Sequence, residues 1–272
     1  MKQIQLYCPL STPEEPLLTE LEAIPIHHLY CLEDPETNTR LIGGWIEPHL
    51  LPLDHPQIHT IKIQDTSPIN WEEQWQAFAP DFHDGLAHID LAPHGTLLLK
   101  PGAGFGDLSH PTTRLALKLL APRAPGSLLI DIGCGSGILL LAGLILGSTH
   151  AIGIDIDPAA LTHAAINAEL NHLQMKAAWT QSLPTEYLPQ EPLLIVMNMI
   201  LSEQQTAWSA QTPLHNLPAT IITSGILTSQ KDTYLKMAES WGWKLVEELQ
   251  EEEWIGCVWH TTIKQIPLTG SA

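Results

Sequence analysis

Apolar and polar residues alternate in four short stretches near the start of the chain. Such alternation is typical of strands with one buried face, and the first stretch begins near Ile4. Residues 16–24 could hold a short helix between the first two strands. The pattern predicts a small α+β domain over residues 1–64, with its other strands at HLYCL, RLIGGWI and TIKI.

The next stretch predicts a helix with an aromatic face. Trp71 and Trp75 lie four residues apart, which places them on one side of a helix, and Phe78 is close by. A helix of this kind is suited to packing between two domains. We therefore expect residues 65–94 to form an interdomain helix and linker.

Strand-length apolar runs alternate with helical segments in the remainder of the chain, over residues 95–272. This order is typical of an α/β domain with a mainly parallel, doubly wound sheet. A helix is predicted over Thr112–Leu120, and the chain ends in two strands joined by an acidic turn, which would add antiparallel strands at one edge. The predicted strands are GTLLLK, SLLID, HAIGID, AAWTQS, PLLIVMN, ATIITS and the hairpin within WKLVEELQEEEWIGCVWHTTI.

The charge composition narrows the range of partners. Twelve Lys and Arg residues stand against thirty Asp and Glu residues, which gives a net charge of −18. Binding along a nucleic acid requires many cations to displace counterions, so we expect no extended nucleic-acid binding. The acidity either aids solubility or attracts a basic protein.

The cysteine, histidine and hydropathy patterns bear on metal sites, disulfides and cellular location. The four cysteines are far apart and form no CxxC pair, so neither a zinc site nor a disulfide framework is predicted. The histidines are scattered without an HExxH motif, and no metal site is expected. The first residues lack the apolar run of a signal peptide, and the longest apolar run, 138–146, is too short to span a bilayer. We expect a cytoplasmic, monomeric protein that does not associate with membranes.

Polar residues follow apolar runs at four of the predicted strand ends. They are Asp131, Asp155, Asn198 and the pair Ser224-Gly225. Any one of them could be an ordinary first residue of a loop. Because ligands of open α/β sheets sit beyond the carboxyl ends of the strands, the four together predict one binding crevice.

The glycine-rich loop after the strand SLLID discriminates between cofactors. Its glycines are Gly133, Gly135 and Gly137, and Ile138 stands where the dinucleotide fingerprint GxGxxG requires its last glycine. A phosphate-binding Walker loop ends in Gly-Lys-Ser/Thr, and this loop has no lysine. The remaining pattern, D-x-G-x-G-x-G from Asp131, is typical of methyltransferases that use S-adenosylmethionine.

The chemistry of S-adenosylmethionine agrees with this pattern. Asp131 can accept hydrogen bonds from its ammonium group, and glycines such as Gly133 and Gly135 allow the backbone to approach closely. The N-terminus of the following helix favours its carboxylate. Asp155 is placed to accept hydrogen bonds from both ribose hydroxyls.

Several segments together resemble the PrmA family, the methyltransferases of ribosomal protein L11 of the large subunit. These segments are PGAGFGDLSHPTTRLALKLL, DIGCGSGILLLAGLILG, GIDIDPAAL, INAELN, VMNMIL and SGIL, in the family's order from about Trp71 onward. The resemblance implies a ferredoxin-like N-terminal domain that recognises the substrate and a Rossmann-like class I methyltransferase domain. It also implies transfer of methyl groups from S-adenosylmethionine to lysine or N-terminal amines of L11, a basic protein. On the family pattern, the cofactor would contact Thr113, Gly133, Asp155 and Asn198.

Two departures from the family pattern indicate either a divergent homologue with the same target or a shifted target or activity. Where the family usually has FGTGTHPTT, this chain has FGDLSHPTT, so that a Thr-Gly pair is replaced by Asp107 and Leu108. Leucine lacks the conformational freedom of glycine, and aspartate adds negative charge near the cofactor. The usual Asn-Ile-Leu motif is here Asn198 followed by Met-Ile-Leu.

The expected reaction is a direct displacement of methyl from sulfonium to a neutral amine. An apolar pocket lowers the pKa of a lysine amine, so a dedicated catalytic base is not required, and we assign no catalytic residue. His110 is a candidate base, although a structural role at the start of a helix is favoured. The alternatives are a methyltransferase of another lysine-bearing protein or a small molecule, a nicotinamide oxidoreductase, and a non-catalytic binding module.

Overall fold

Two compact units, residues 1–70 and 71–272, make up the chain in a computed structural model. The structure describes residues 2–13, 17, 20–21, 24, 26–34, 38–51, 53, 55–64, 76, 79, 81–102, 106, 108–183 and 191–261. The predicted helix that carries Trp71, Trp75 and Phe78 lies outside the described residues, as does most of the one predicted over 16–24. The division at residues 64 and 94 stays a prediction.

The first unit is built on a four-stranded antiparallel sheet. The strands lie in the order β2-β3-β1-β4, which is the ferredoxin-like order expected for this domain. Alternate residues of β1 (Ile4, Leu6 and Cys8) are buried in its core, as the apolar alternation predicts. The strands are β1 Lys2–Pro9, β2 Ile26–Asp34, β3 Thr39–Ile46 and β4 Thr60–Gln64, and a 3-10 turn spans Pro48–Leu50.

The second unit is a Rossmann-like α/β domain. Its main sheet has the order β10-β9-β8-β11-β12-β14-β13, in which the first five strands are parallel and the last two form an antiparallel hairpin, as expected. These strands are β8 Leu128–Ile132, β9 His150–Ile154, β10 Ala177–Thr180, β11 Leu193–Asn198, β12 Ala219–Leu227, β13 Trp243–Glu251 and β14 Trp254–Thr261.

Helices cover both faces of this sheet. They are α1 Pro111–Leu120, α2 Ile138–Ile145, α3 Pro158–Leu170, α4 Leu201–Ala210 and α5 Lys231–Ser240, with 3-10 turns at Thr212–Leu214 and Thr228–Gln230. α1, α2 and α3 contribute to one buried cluster with the apolar side chains of one sheet face, and α4 and α5 contribute to the cluster on the other face. Within the part of the chain that the structure describes, no helix is long and apolar enough to cross a membrane.

The residues just before α1 and α3 explain where each helix begins. Asp157 caps α3 by accepting a hydrogen bond from the Ala159 amide at 2.8 Å, and Pro158 occupies the first helical position, as predicted. His110 caps α1 in the same manner, and Pro111 follows it. Each proline lacks an N–H group that a first helical turn would leave unsatisfied.

A second, three-stranded sheet precedes α1, and only its last strand was predicted. It consists of β5 Phe82–His83, β6 Leu86–Asp90 and β7 Thr96–Leu99, in that order. β5 is too short to produce a visible apolar alternation, and β6 follows a tight turn at Asp84 and Gly85. The apolar side of β6 and β7 packs into the same cluster as α1 and α2.

Three side chains of α3 and its C-terminal cap fasten β7 to the main domain. The Asn171 carboxamide accepts from the Leu98 amide at 2.9 Å and donates to the Leu98 carbonyl at 2.6 Å. Asn167 accepts from the Lys100 amide at 2.9 Å, and His163 contacts the Lys100 carbonyl at 2.7 Å. Because these residues are spaced by four, they form one row that pairs with the free edge of β7 as another strand would.

We predict that Asn171→Ala lowers the free energy of unfolding by about 1–3 kcal/mol, because it leaves the Leu98 amide and carbonyl without these partners. Urea denaturation followed by circular dichroism measures the change. Thr206→Ala, which removes an exposed hydroxyl of α4, is the control and should change stability by less than about 0.5 kcal/mol. Equal effects of the two substitutions would contradict the role given to the row.

Candidate functional site

The predicted site residues gather at the carboxyl ends of β8, β9 and β11, around the glycine loop between β8 and α2. Gly133 and Gly135 have positive φ values of 74° and 53°, which other residues adopt at a cost. A Cβ atom on Gly133 would overlap the Met199 side chain. The loop therefore favours glycine for its left-handed conformation, while the Met199 methyl group, at the end of a flexible side chain, could move aside.

Asp155 is tied directly to this loop. The Gly135 amide donates to Asp155 Oδ2 at 3.0 Å, and the Asp157 amide donates to Asp155 Oδ1 at 3.0 Å. Asp155 is half-buried, and these two bonds fix the orientation of its carboxylate. Ile156 follows it and is 87% exposed, an unusual degree for an apolar side chain at the end of a buried strand.

Asp131 is a buried acid with an unsatisfied oxygen. It lies in β8 one residue before the strand's end, is only 2% exposed, and its Oδ2 atom has no hydrogen-bond partner among the described residues. Burial raises the pKa of Asp131 to about 7, and the negative charge of Asp155 contributes to this rise. A hydrogen bond from the Leu140 backbone acts in the opposite direction and lowers the pKa.

Asn198 and Thr113 lie on the same side of the sheet as Asp131. In the register of β8 and β11, Asp131 pairs with Val196, and Asn198 is two residues further along, so both side chains leave the sheet on the α1 face. The Asn198 Nδ2 atom donates to the Oγ1 atom of buried Thr113 at 3.4 Å. Asn198 Oδ1 is buried and, like Asp131 Oδ2, lacks a partner among the described residues.

The pair Ser224-Gly225 does not join the crevice as predicted. β12 continues past it to Leu227 through an irregularity in its register with β14. Ser224 is fully buried, and its hydroxyl donates to the Ile255 carbonyl at 3.4 Å. The prediction that the fifth strand ends there was wrong, because an apolar run interrupted by Ser-Gly can continue as a strand with a bulge.

His110 caps the N-terminus of α1. Its Nδ1 atom lies 2.8 Å from Thr112 Oγ1 and accepts from the Thr112 amide, and its ring packs edge-on against Trp254. These contacts agree with the structural role favoured from the sequence.

Leu108 occupies a position where the family pattern has glycine. Its φ value is 70°, a left-handed conformation that leucine adopts only with strain. Arg114 stabilises this turn by donating to the Leu108 carbonyl at 2.9 Å and the Ser109 carbonyl at 2.7 Å, while its Nε atom donates to Glu251 at 2.6 Å. Asp107, the other departure, lies outside the described residues.

The site contains residues that the sequence patterns did not single out. Ser136, in the glycine loop, donates to the Gly106 carbonyl at 2.7 Å, and its own carbonyl accepts from Asn167 at 2.9 Å. Gln204 on α4 lies fully buried behind Asn198. The only signal for these residues in the sequence would be a polar residue at a position that faces the core. Within the described residues, no cluster of His, Cys, Asp and Glu forms a metal site.

Comparison with known proteins identifies the family. The family model described as "Ribosomal protein L11 methyltransferase (PrmA)" matches residues 22–262. A ribosomal protein L11 methyltransferase of Synechococcus sp. (strain RCC307) is 30% identical over 277 residues, covering 89% of this chain and 91% of its own. One from Hahella chejuensis is 36% identical over 260 residues, covering 90% of this chain and 86% of its own.

A solved structure supports the fold. The crystal structure of a ribosomal protein L11 methylase from Lactobacillus delbrueckii subsp. bulgaricus superimposes with a TM-score of 0.51 at 24% identity, covering 64% of this chain and 99% of that chain. At this identity the likeness concerns the fold alone. With the family match over most of its length, the chain belongs to the PrmA family of ribosomal protein L11 methyltransferases.

Proposed function

We propose that this methyltransferase takes its methyl group from S-adenosylmethionine and transfers it to lysine side-chain or N-terminal amines of ribosomal protein L11. The observation that carries the choice of cofactor is a pair of buried acceptors, Asp131 Oδ2 and Asn198 Oδ1, which lie on one face of the sheet and have no partner among the described residues. Buried acceptors without donors are costly, and a ligand that supplies N–H donors would remove that cost.

The residues present fit S-adenosylmethionine. Its ammonium group supplies positive charge and N–H donors for Asp131 and Asn198, and its carboxylate suits the positive end of the α2 dipole at the glycine loop. Asp155, held in place by the Gly135 amide, retains lone pairs for the ribose hydroxyls. The exposed side chain of Ile156 offers an apolar surface to the adenine ring. Thr113 orients Asn198 through their hydrogen bond.

The cofactor supplies an electrophilic methyl group on sulfonium, and the protein aligns the reacting groups and excludes water. The incoming amine must be neutral, and an apolar environment favours its neutral form. Met199 and half-exposed Ile200, which follow Asn198, provide apolar surface beside the site. No described side chain is required as a base, and catalysis rests on alignment and desolvation.

The choice of L11 rests on the names of the relatives, each a ribosomal protein L11 methyltransferase. The net charge of −18 supports a basic protein substrate, because opposite charges favour encounter. A ribosomal substrate would place the activity in the cytoplasm. A monomeric state and the absence of extended nucleic-acid binding stay predictions.

Mass spectrometry of L11 tests this proposal. Purified L11 incubated with the protein and S-adenosylmethionine should gain mass in whole methyl groups, and L11 without the protein should not. An unchanged mass, together with labelled methyl transfer to another component of a lysate, would move the assignment to a different substrate. Cofactor binding without transfer to any component would favour a non-catalytic binding module.

We predict that Asp155→Ala weakens the affinity for S-adenosylmethionine by about 10-fold to 150-fold, because a hydrogen bond to a charged group contributes about 1.5–3 kcal/mol. Isothermal titration calorimetry measures the affinity. Asp232→Ala, which removes an exposed aspartate of α5 and the same charge, should leave it unchanged. Unchanged affinity in Asp155→Ala would remove Asp155 from the site.

We predict that the affinity for S-adenosylmethionine falls as the pH is lowered from 8 to 6, because the pKa of Asp131 is about 7 and its carboxylate must be ionised to pair with the ammonium. Asp131→Asn should bind more weakly at pH 8 and lose most of this pH dependence. Calorimetric titrations across the range provide the measurement, and a dependence that persists in Asp131→Asn would contradict the assignment.

The same substitution should stabilise the protein without ligand. The folded-state pKa of Asp131 lies above its unfolded value near 3.9, so this group contributes stability that is complete below about pH 4 and is lost as the pH rises to 7. Asp131→Asn removes this loss of stability at higher pH. Its free energy of unfolding at pH 8 should exceed that of the unaltered protein by at least about 1 kcal/mol, measured by urea denaturation. A lower stability at pH 8 would show that the buried carboxylate carries no such penalty.

A further inference from the structure

A chain of buried polar side chains lies behind Asn198, on the opposite face of the sheet. Gln204 is 0% exposed, and its Nε2 atom donates to the Met199 carbonyl at 2.9 Å and to the Ser224 carbonyl at 2.8 Å. Its Oε1 atom accepts from the Tyr234 hydroxyl at 2.8 Å. Both amide hydrogens are therefore used, and the carboxamide has a partner on each side.

The two carbonyls and the Tyr234 hydroxyl together determine which way the Gln204 carboxamide points. Tyr234 is fully buried, and burial raises the pKa of its phenol well above the ordinary value, so the hydroxyl keeps its proton and can donate. The two carbonyls can only accept, so they require the amide hydrogens of Gln204 to face them, and the Gln204 oxygen then accepts from the Tyr234 hydroxyl. Tyr234 in turn packs edge-on against Trp259, whose Nε1 atom donates to Thr223 at 2.9 Å.

The target of Gln204 is the turn that immediately follows Asn198. The Met199 amide donates to the Ser224 carbonyl at 3.2 Å, and the Met199 carbonyl accepts from Gln204. Gly225 has a φ value of 93°, and a Cβ atom there would overlap the Met199 carbonyl. The amide and the carbonyl of Met199 are thus both held by hydrogen bonds. The close approach of the Met199 carbonyl to Gly225 explains the Ser-Gly pair in β12.

The carboxamide of Gln204 has all its polar groups satisfied, so its burial carries no penalty of an unmade hydrogen bond. An apolar side chain of the same size would take this donor away from the Met199 and Ser224 carbonyls. This network holds Met199, the residue adjacent to Asn198. The Asn198 carboxamide donates to Thr113, and its buried oxygen has no partner in the part of the chain that the structure describes.

We propose that Gln204, oriented by Tyr234, is a positioning residue for methyl transfer: it fixes the Met199 carbonyl and thereby the place of the Asn198 carboxamide. The inference rests on the proposed function, since it takes Asn198 to face the reacting groups. Gln204 acts only through Asn198 and touches neither cofactor nor substrate. Removal of the Gln204 carboxamide should therefore lower the rate of methyl transfer only while Asn198 is present.

A double-mutant cycle tests this dependence. Gln204→Met keeps the size of the side chain and removes both amide hydrogens. We expect it to lower the rate of transfer to L11 by about 10-fold to 100-fold, the effect of a small misplacement of a site group. In an Asn198→Ala background the same change should have little further effect, because the group that it positions is gone. Equal losses in both backgrounds, or no loss in the unaltered background, would overturn the proposal.

Ser127→Ala is the matched control for lost stability. Ser127 is a buried residue just before β8, at the opposite end of the sheet, and its hydroxyl donates to the Ala124 carbonyl at 2.8 Å. It should lower the unfolding temperature and leave the transfer rate unchanged. A similar loss of rate in Ser127→Ala would mean that general destabilisation explains the result. If Gln204→Met fails to fold, Tyr234→Phe, which removes only one hydroxyl, is carried through the same cycle and should show the same dependence on Asn198.

A crystal structure of the variant separates this proposal from the proposed function. In Gln204→Met, or in Tyr234→Phe if that variant is the one that folds, we expect the Met199 carbonyl to turn and the 3.4 Å contact between Asn198 and Thr113 to break. This readout holds even if L11 proves not to be the substrate, a failure that would concern the proposed function alone. An unchanged Met199 turn with the contact intact would overturn the positioning role.

Discussion

The site depends on the burial of the Asp131 carboxylate without a positive partner among the described residues. Asp131 lies within an otherwise apolar strand, under the glycine loop and near a second acid, Asp155. A buried charge of this kind opposes folding, because water would solvate it better than the sheet does. The proposed ligand brings its own positive charge, which would account for the presence of this acid. The family to which the chain belongs indicates which ligand that is.

The remainder of the second unit holds the crevice around this acid in a defined shape. The glycine loop is joined to Asp155 by the Gly135 amide, to Gly106 before α1 by the Ser136 hydroxyl, and to α3 by Asn167. The opposite wall, at Asn198, is held from the other sheet face by Gln204. Each of these bonds links backbone to a buried or half-buried side chain, so that loops distant in the sequence are held together around the crevice.

Much of this arrangement could be predicted from the sequence, because it is encoded locally. Apolar runs followed by Asp131, Asp155 and Asn198 identify strands and their ends, and the glycine spacing identifies the loop. The strand through Ser224 and the short strands before α1 could not be predicted, since a bulge and two-residue pairings depend on their neighbours in space. The role of Gln204 was equally hidden, because a single glutamine in a helix carries no pattern that reveals its hydrogen bonds.

We propose that two oxygens without a partner among the described residues, Asp131 Oδ2 and Asn198 Oδ1, receive the ammonium group of S-adenosylmethionine. Calorimetric titration at pH 8 with S-adenosylmethionine and with 5′-methylthioadenosine, which keeps the nucleoside and lacks the amino-acid part, tests it most directly. We expect one binding site and an affinity for S-adenosylmethionine that is at least about 10-fold higher than that for 5′-methylthioadenosine, the effect of one charge-assisted interaction. Equal affinities, or binding of a nicotinamide dinucleotide in place of both, would contradict it.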